Sequence, residues 1–248
     1  MGQVLSITTS TLRNLLRIRK VVPADFTVLF GACVLLAANR TKEYLLFQDP
    51  ENKFVPGAGT LNEIFLMTYV TRSVQLQITE AFNCTAMTKE QKILLGADWV
   101  WAVLEAPSKN PTIQVAVQVL HPADVADAGE GEGAGAPPKE SYTEAMEMAH
   151  MESADKTKAE RLIEFCSSVG PDCYALFLFF GRRGDPGNIY GVLSNNFHAA
   201  VGKCARIDPA FIDNFFKGSK SFASPARMLQ AIVQRTQDEP VTMTIKFT

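Results

Sequence analysis

The chain begins MGQVLS, and Gly2 is the residue there that a modification pattern marks. Once Met1 is removed, Gly2 carries a free amine, and Ser6 occupies the downstream position of the M-G-x-x-x-[ST] myristoylation pattern. Only a residue without a Cβ presents that amine unhindered to a fatty thioester, so amide formation with a myristoyl chain is the chemistry expected at Gly2. Elsewhere the usual reactive constellations are missing. No G-x-x-x-x-G-K-[ST] phosphate loop, G-x-S-x-G, H-E-x-x-H or kinase motif occurs. His121, His150 and His198 are far apart in sequence and lack paired carboxylates. Cys33, Cys84, Cys166, Cys173 and Cys204 are scattered without zinc-ligand spacing, which reads as reduced thiols. Arg183-Gly184-Asp185 reads as turn chemistry. The expectation is a protein with no catalytic residues, no metal, no cofactor and no small-molecule substrate. An enzyme with a site assembled from distant segments is the weaker alternative.

A single myristoyl chain holds a protein to a bilayer only marginally, so stable anchoring needs a second signal. Arg13, Arg17, Arg19 and Lys20 supply one, with no acidic residue before Asp25. Each such cation near an anionic membrane surface adds about 1 kcal/mol. Leu12, Leu15, Leu16 and Ile18 interleave with these charges. They could enter the headgroup boundary, or dock on the folded body with the charges in water. The longest apolar run, residues 26–38, falls short of the roughly 18–20 residues a spanning helix needs, and reads as a buried helix. No secretory signal precedes it, so the chain is expected to be cytosolic. A formal net charge of −2 and a pI near 6.0 offer no attraction to nucleic acid.

The positioning elements follow from periodicity. Residues 25–47 read as a core helix, apolar nearly all round in its first half. A second helix is expected from a capping box, Thr60-x-x-Glu63, to about Ile78, with Leu66, Met67, Val70, Val74 and Ile78 as its apolar stripe, thickened by Leu61, Ile64 and Phe65. A third is expected from Thr88-x-x-Gln91 to before Pro107, with Ile93, Leu94, Ala97, Trp101 and Leu104 on one face. The period then becomes two: Ile113, Val115, Val117 and Val119 predict a strand with one buried face.

After an acidic Gly/Ala/Pro stretch, a helix is expected from near Ser153 to Val169. The run CYALFLFF (173–180) predicts a central strand, with IYGVL (189–193) as its neighbour after a turn. A further strand is placed around 203–207. Asp208-Pro209 to Gly218, and Ser224-Pro225 to before Pro240, read as short helices, and residues 241–248 as a last half-buried strand.

The expected organisation is a basic, myristoylated anchor over 1–22, a helical half with the first strand over 23–120, a disordered acidic linker over 121–152, and an α/β half over 153–248 that completes the same domain. The fold class is α+β, with N-terminal helices packed on a mixed or antiparallel sheet in a single compact domain. On a helix, Trp99 and Trp101 would lie about 200° apart. Either the helix is enclosed and both rings are core, or one faces solvent beside Asp98 as an interface anchor.

TLNEIFL (60–66), GADWVW (96–101), EFCSSVGPDCYALFLFFG (164–181) and the MGQ start with Ser6 together resemble the Rab-fifteen effector family, in a non-human vertebrate form. The resemblance covers nearly the whole chain apart from the acidic stretch and parts of the C-terminal end. It implies a non-enzymatic effector that binds a GTP-bound Rab GTPase and promotes return of receptors, such as the transferrin receptor, from the endocytic recycling compartment. The implied location is the cytoplasmic face of perinuclear recycling and early endosomes. Partner contacts are expected at Phe65, Tyr69, Asp98, Trp99 and Trp101, on the second and third helices. A membrane-tethered scaffold indifferent to nucleotide state is the alternative.

Overall fold

A computed structural model describes residues 24–121, 147–149, 151, 155–182, 185–201, 207–219, 221–235 and 240–248. The anchor residues Gly2, Arg13, Arg17, Arg19 and Lys20 lie outside these, as do most of the acidic stretch and of the strand expected near 203–207.

Helix α1 (Ala24–Leu45) and helix α2 (Ala58–Gln75) form a hairpin on one face of the sheet. Phe26, Phe30, Val34, Ala37 and Thr41 of α1 recur at three- and four-residue spacing and are buried. The Thr41 hydroxyl is satisfied by donating to the Ala37 carbonyl at 2.9 Å. The start of α2 differs from expectation: its N-cap is Gly57 in extended conformation, without a side-chain cap. Thr60 therefore lies inside the first turn, too late to cap it. The buried stripe differs too. Leu61, Phe65, Tyr69 and Ser73 face the sheet, whereas Met67, Val70 and Val74 face solvent. Two apolar stripes compete on α2, and the one carrying the large aromatic rings gains more by burial.

Strand β1 (Phe82–Ala86), which no periodicity announced, precedes helix α3 (Lys89–Leu95). The Thr88 capping box forms, with Gln91 N–H donating to Thr88 Oγ1 at 3.3 Å and Thr88 N–H to Gln91 Oε1 at 2.9 Å. The helix expected to reach Pro107 nevertheless stops at Leu95. Gly96 turns into the left-handed region at φ 69° and ends it. WVWAVL then forms strand β2 (Trp99–Leu104), paired antiparallel with β1 and with β3 (Pro111–Leu120). Trp99, Trp101 and Val103 thus share one face at a spacing of two, and all three are buried.

The stretch expected to be linker through 152 is helical at 147–149 and 151, with Ala149 buried. The helix expected from Ser153 begins later, as α4 (Lys158–Val169), started by a Thr157/Glu160 capping box. Strand β4 (Cys173–Arg182) runs parallel to β3, and β5 (Asp185–Ser194) returns antiparallel. Helices α5 (Phe197–Val201), α6 (Pro209–Gly218) and α7 (Pro225–Gln234) lead to strand β6 (Thr242–Lys246), antiparallel to β5. Asp208 and Ser224 cap α6 and α7 as their sequence positions implied.

The six strands stand in chain order β1-β2-β3-β4-β5-β6 in a mixed sheet. Helices α1, α2 and α7 supply one core with the sheet, and α4 to α6 the other. Covering on both faces explains why β3 buries every residue from Val115 to Leu120, although its alternating sequence predicted one buried face. The β6 edge is partly closed, since Ala223 N–H donates to the Thr244 carbonyl and Lys246 N–H to the Ala223 carbonyl, both at 2.9 Å. The protein is one α+β domain.

Candidate partner-docking face on the helical hairpin

Of the five residues expected to meet a partner, the structure brings Phe65, Tyr69, Trp99 and Trp101 together in the interior beneath the hairpin, and places Asp98 on the other face of the sheet. Phe65 of α2 stacks on Trp99 of β2, with ring centroids 5.4 Å apart and planes 24° apart. Trp101 lies 5.7 Å from Trp99, 5.4 Å from Tyr69 and 5.4 Å edge-on from Phe30 of α1. Phe180 of β4 closes the cluster at 5.6 Å from Phe65. None of the four expected aromatic contacts is more than 1% exposed. Their placement is corrected from docking face to core, because β2 is a strand whose alternate side chains all enter the layer beneath the hairpin. These rings fasten α1 and α2 to the sheet.

Asp98 is also inside. Its Oδ2 accepts from the Val119 N–H at 2.8 Å, and Lys158 Nζ approaches to 3.3 Å and Lys92 Nζ to 3.7 Å. The carboxylate thereby joins the ends of β2 and β3 to α3 and α4. GADWVW is an assembly joint in which glycine ends a helix, aspartate ties four elements and two tryptophans fill the core.

The hairpin's other side is unlike the rest of the surface. On α2, Met67, Val70 and Val74 are 61%, 44% and 59% exposed, and lie about 140–200° around the helix from Phe65. On α1, Val28, Leu35 and Leu36 are exposed, about 140–240° from Phe30. Both stripes point away from the sheet and share the outer side of one helical layer. The connection adds Leu46, Phe47, Phe54 and Val55. Ten large exposed hydrophobic residues thus fall within residues 28–74, against five elsewhere among the described residues. Concentration of exposed apolar side chains in one region is a feature that interaction surfaces share.

The connecting loop is internally fixed. The Asp49 carboxylate accepts from the N–H groups of Glu51 (3.1 Å), Lys53 (2.8 Å) and Phe54 (3.0 Å). Those backbone bonds hold its pKa below the ordinary carboxylate value. The Phe47 and Phe54 rings meet edge-on at 6.0 Å. Charged groups share the face: exposed Glu63 lies within the α2 stripe, about 160° from Phe65, and on α1 Arg40 pairs with Glu43 and donates to Tyr44 Oη at 3.1 Å. An apolar patch interspersed with a few charges on a rigid support has the make-up of a surface that can recognise another.

Other sites are poorer candidates. A groove of about 530 Å³ beside α4 contains Lys156, Glu160, Glu164 and His198, but Glu160 is engaged in capping and Lys156 pairs with Glu164 at 2.6 Å. Among the described residues, no cluster of three or more metal-ligating side chains occurs, and no helix is long and apolar enough to cross a membrane. Cys33, Cys84, Cys166 and Cys173 are free thiols.

Phe65 and Tyr69, the α2 residues that the sequence singles out, lie on its inner side. The available signal was that α2 is apolar on two opposite sides, more than a helix covered on one face requires.

Fold and face together define a mixed-sheet α+β domain that presents the outer side of a helical hairpin. The chain belongs to the Rab15 effector family, whose family model, described as Rab15 effector, matches residues 22–242. It is 35% identical over 181 residues to the mouse Rab15 effector protein, an alignment covering 71% of this chain and 73% of that one.

Proposed function

We propose that this protein is a Rab effector whose hairpin outer face docks a GTP-bound Rab GTPase, Rab15 foremost, and thereby promotes receptor recycling from endosomal membranes. The observation that carries the reading is the exposed apolar stripe Met67–Val70–Val74 on α2, with exposed Val28 and Leu35 on α1, on helices fixed from behind by the aromatic core. The name of the mouse relative points to the same partner. In a Rab, the γ-phosphate orders two switch segments and creates a surface absent from the GDP form. A reader of that surface needs a preformed apolar patch, because ordering both partners at once would consume the binding energy.

Myristoylated Gly2, with Arg13, Arg17, Arg19 and Lys20 near anionic lipid, would hold the effector on the cytoplasmic face of the endosome where its Rab resides. This reading assigns no catalytic step and no cofactor. Pull-down with Rab15 locked in its GTP and GDP forms tests it: retention by the GTP form alone, abolished by Met67→Glu, is expected. Equal retention by both forms would make the protein a scaffold indifferent to nucleotide. For the anchor, Gly2→Ala is expected to release the protein from the membrane fraction, and unchanged fractionation would contradict lipidation.

A further inference from the structure

We propose that the open half of the β6 edge receives an extended acidic segment of a partner protein as an added strand. The site shares no residue with the hairpin outer face, so it is separate from the Rab-docking reading. Three observations lead to it.

The first is a set of unused main-chain groups. β6 is antiparallel to β5 and turns the N–H and C=O groups of Val241, Met243 and Ile245 toward it, so those of Thr242, Thr244 and Lys246 point outward. Ala223 takes two of these, the Thr244 carbonyl and the Lys246 N–H. The Thr244 N–H and both main-chain groups of Thr242 have no partner among the described residues. Such groups on a sheet edge are a template for another strand.

The second is room beside them. Ala223 bridges to Ile245 in parallel, which shows that this edge accepts an extended chain. The chain ahead of Ala223 leaves β6 instead of continuing the pairing. A groove of about 420 Å³ opens there, between Phe215 and Ser219 on one side and Thr242 to Thr244 on the other. The Thr244 hydroxyl donates to the Ser221 carbonyl at 2.7 Å and fixes the end of the groove nearest Ala223. Strand addition draws affinity from main-chain bonds and selectivity from the side chains around them.

The third is charge. The two segments that build the groove, residues 214–237 and 240–248, contain no aspartate or glutamate. Exposed Lys246 lies two residues beyond Thr244 on the same side of β6, and exposed Arg227 lies in the first turn of α7, four residues beyond Ala223. Neither forms an ion pair among the described residues. Cations without a counter-charge favour an acidic segment and repel a basic one.

The test uses the full chain and an eight-residue probe, Thr-Val-Thr-Val with two glutamates at each end. Saturating probe is expected to slow hydrogen exchange at the Thr242 and Thr244 N–H groups about tenfold. Replacing the probe's glutamates with lysines should weaken binding about tenfold, and Lys246→Glu should reverse that preference. Thr242→Pro removes an outward N–H without touching the ladder to β5, and should abolish binding. A probe methylated at alternate amide nitrogens makes the same test with the protein unaltered, and should not bind. Failure of the acidic probe to bind, equal binding of the acidic and basic probes, or binding that survives amide methylation would overturn the proposal. Slowed exchange at Thr242 with phosphatidylserine vesicles but not with the probe would assign the edge to lipid, which also overturns it.

Retention by GTP-loaded Rab15 separates this site from the hairpin. Lys246→Glu should be retained as the parent is, whereas Met67→Glu should bind the acidic probe normally. Loss of Rab15 retention in Lys246→Glu would make the edge part of the Rab site and overturn the separate assignment.

Discussion

A β-carbon on Gly96 would lie 2.2 Å from the main-chain oxygen of Lys158 and 2.9 Å from the amide nitrogen of Leu162. The end of α3 is thus seated directly on the first turns of α4, and at φ 69° the same residue occupies backbone space that L side chains resist. Gly96→Ala is expected to cost about 3 kcal/mol or more, since strain and overpacking act together. A urea titration followed by tryptophan fluorescence measures it. A midpoint unchanged from the parent would mean that α4 can move aside.

The buried Asp98 carboxylate should contribute mainly through its 2.8 Å hydrogen bond from Val119. Its two lysine partners are 39% exposed, so their attraction is screened. Asp98→Ala, which strands a buried N–H, should lose about 2–3 kcal/mol, and Asp98→Asn, which keeps an acceptor, about half as much. Denaturation in low and high salt should give nearly the same parent stability. A large salt effect would shift the weight to the lysines.

Inner and outer stripes of α2 should separate stability from binding. Phe65→Ala removes a ring packed on Trp99 and Phe180 and should cost about 3–5 kcal/mol. Met67→Glu alters an exposed side chain and should stay within about 0.5 kcal/mol of the parent while losing Rab15 binding. Thermal unfolding and pull-down on both variants decide whether the two sides of one helix divide these roles.

Alkaline pH should loosen the hairpin core. Burial pushes the Cys33 thiol up to about 11 and the Cys84 thiol up to about 12, from an ordinary value of 9.0. The folded state therefore favours the protonated thiols, and their contribution is fully present below pH 9. It is lost as pH rises through 9 towards 11–12, where the unfolded chain ionises first. Urea midpoints should be flat in this respect up to about pH 9 and fall above it, with a shallower fall in Cys84→Ala. Both thiols should also react slowly with alkylating reagents at neutral pH, because the thiolate is the nucleophile.

Much of this fold was legible because local signals agreed with tertiary need. CYALFLFF became the central strand β4, the alternation at residues 113–119 became β3, and Pro225 after Ser224 began α7. The failure at Gly96 to Trp101 has a physical origin. Ile93, Ala97, Trp101 and Leu104 fit a helical spacing, while Trp99, Trp101 and Val103 fit a strand, and the two periods share Trp101. Gly96 settled the matter by ending the helix, and pairing with β3 completed it. β1 was hidden because FNCTA buries only Phe82, so that its identity rests on its neighbour. The misplacement of Phe65 and Tyr69 followed from the same error. Which stripe of α2 turns inward depends on aromatic partners at Trp99 and Trp101, and those face α2 only once β2 is a strand.

Because all six strands pair in chain order, the acidic stretch joins two adjacent strands, β3 and β4, and displaces none of the others. A parallel crossover requires a dozen or more residues in any case, and α4 already satisfies that need. Loop closure grows only logarithmically with length, so doubling the remainder costs about 0.6 kcal/mol. A reporter inserted between β3 and α4 is therefore expected to leave the pairing order of the six strands unchanged.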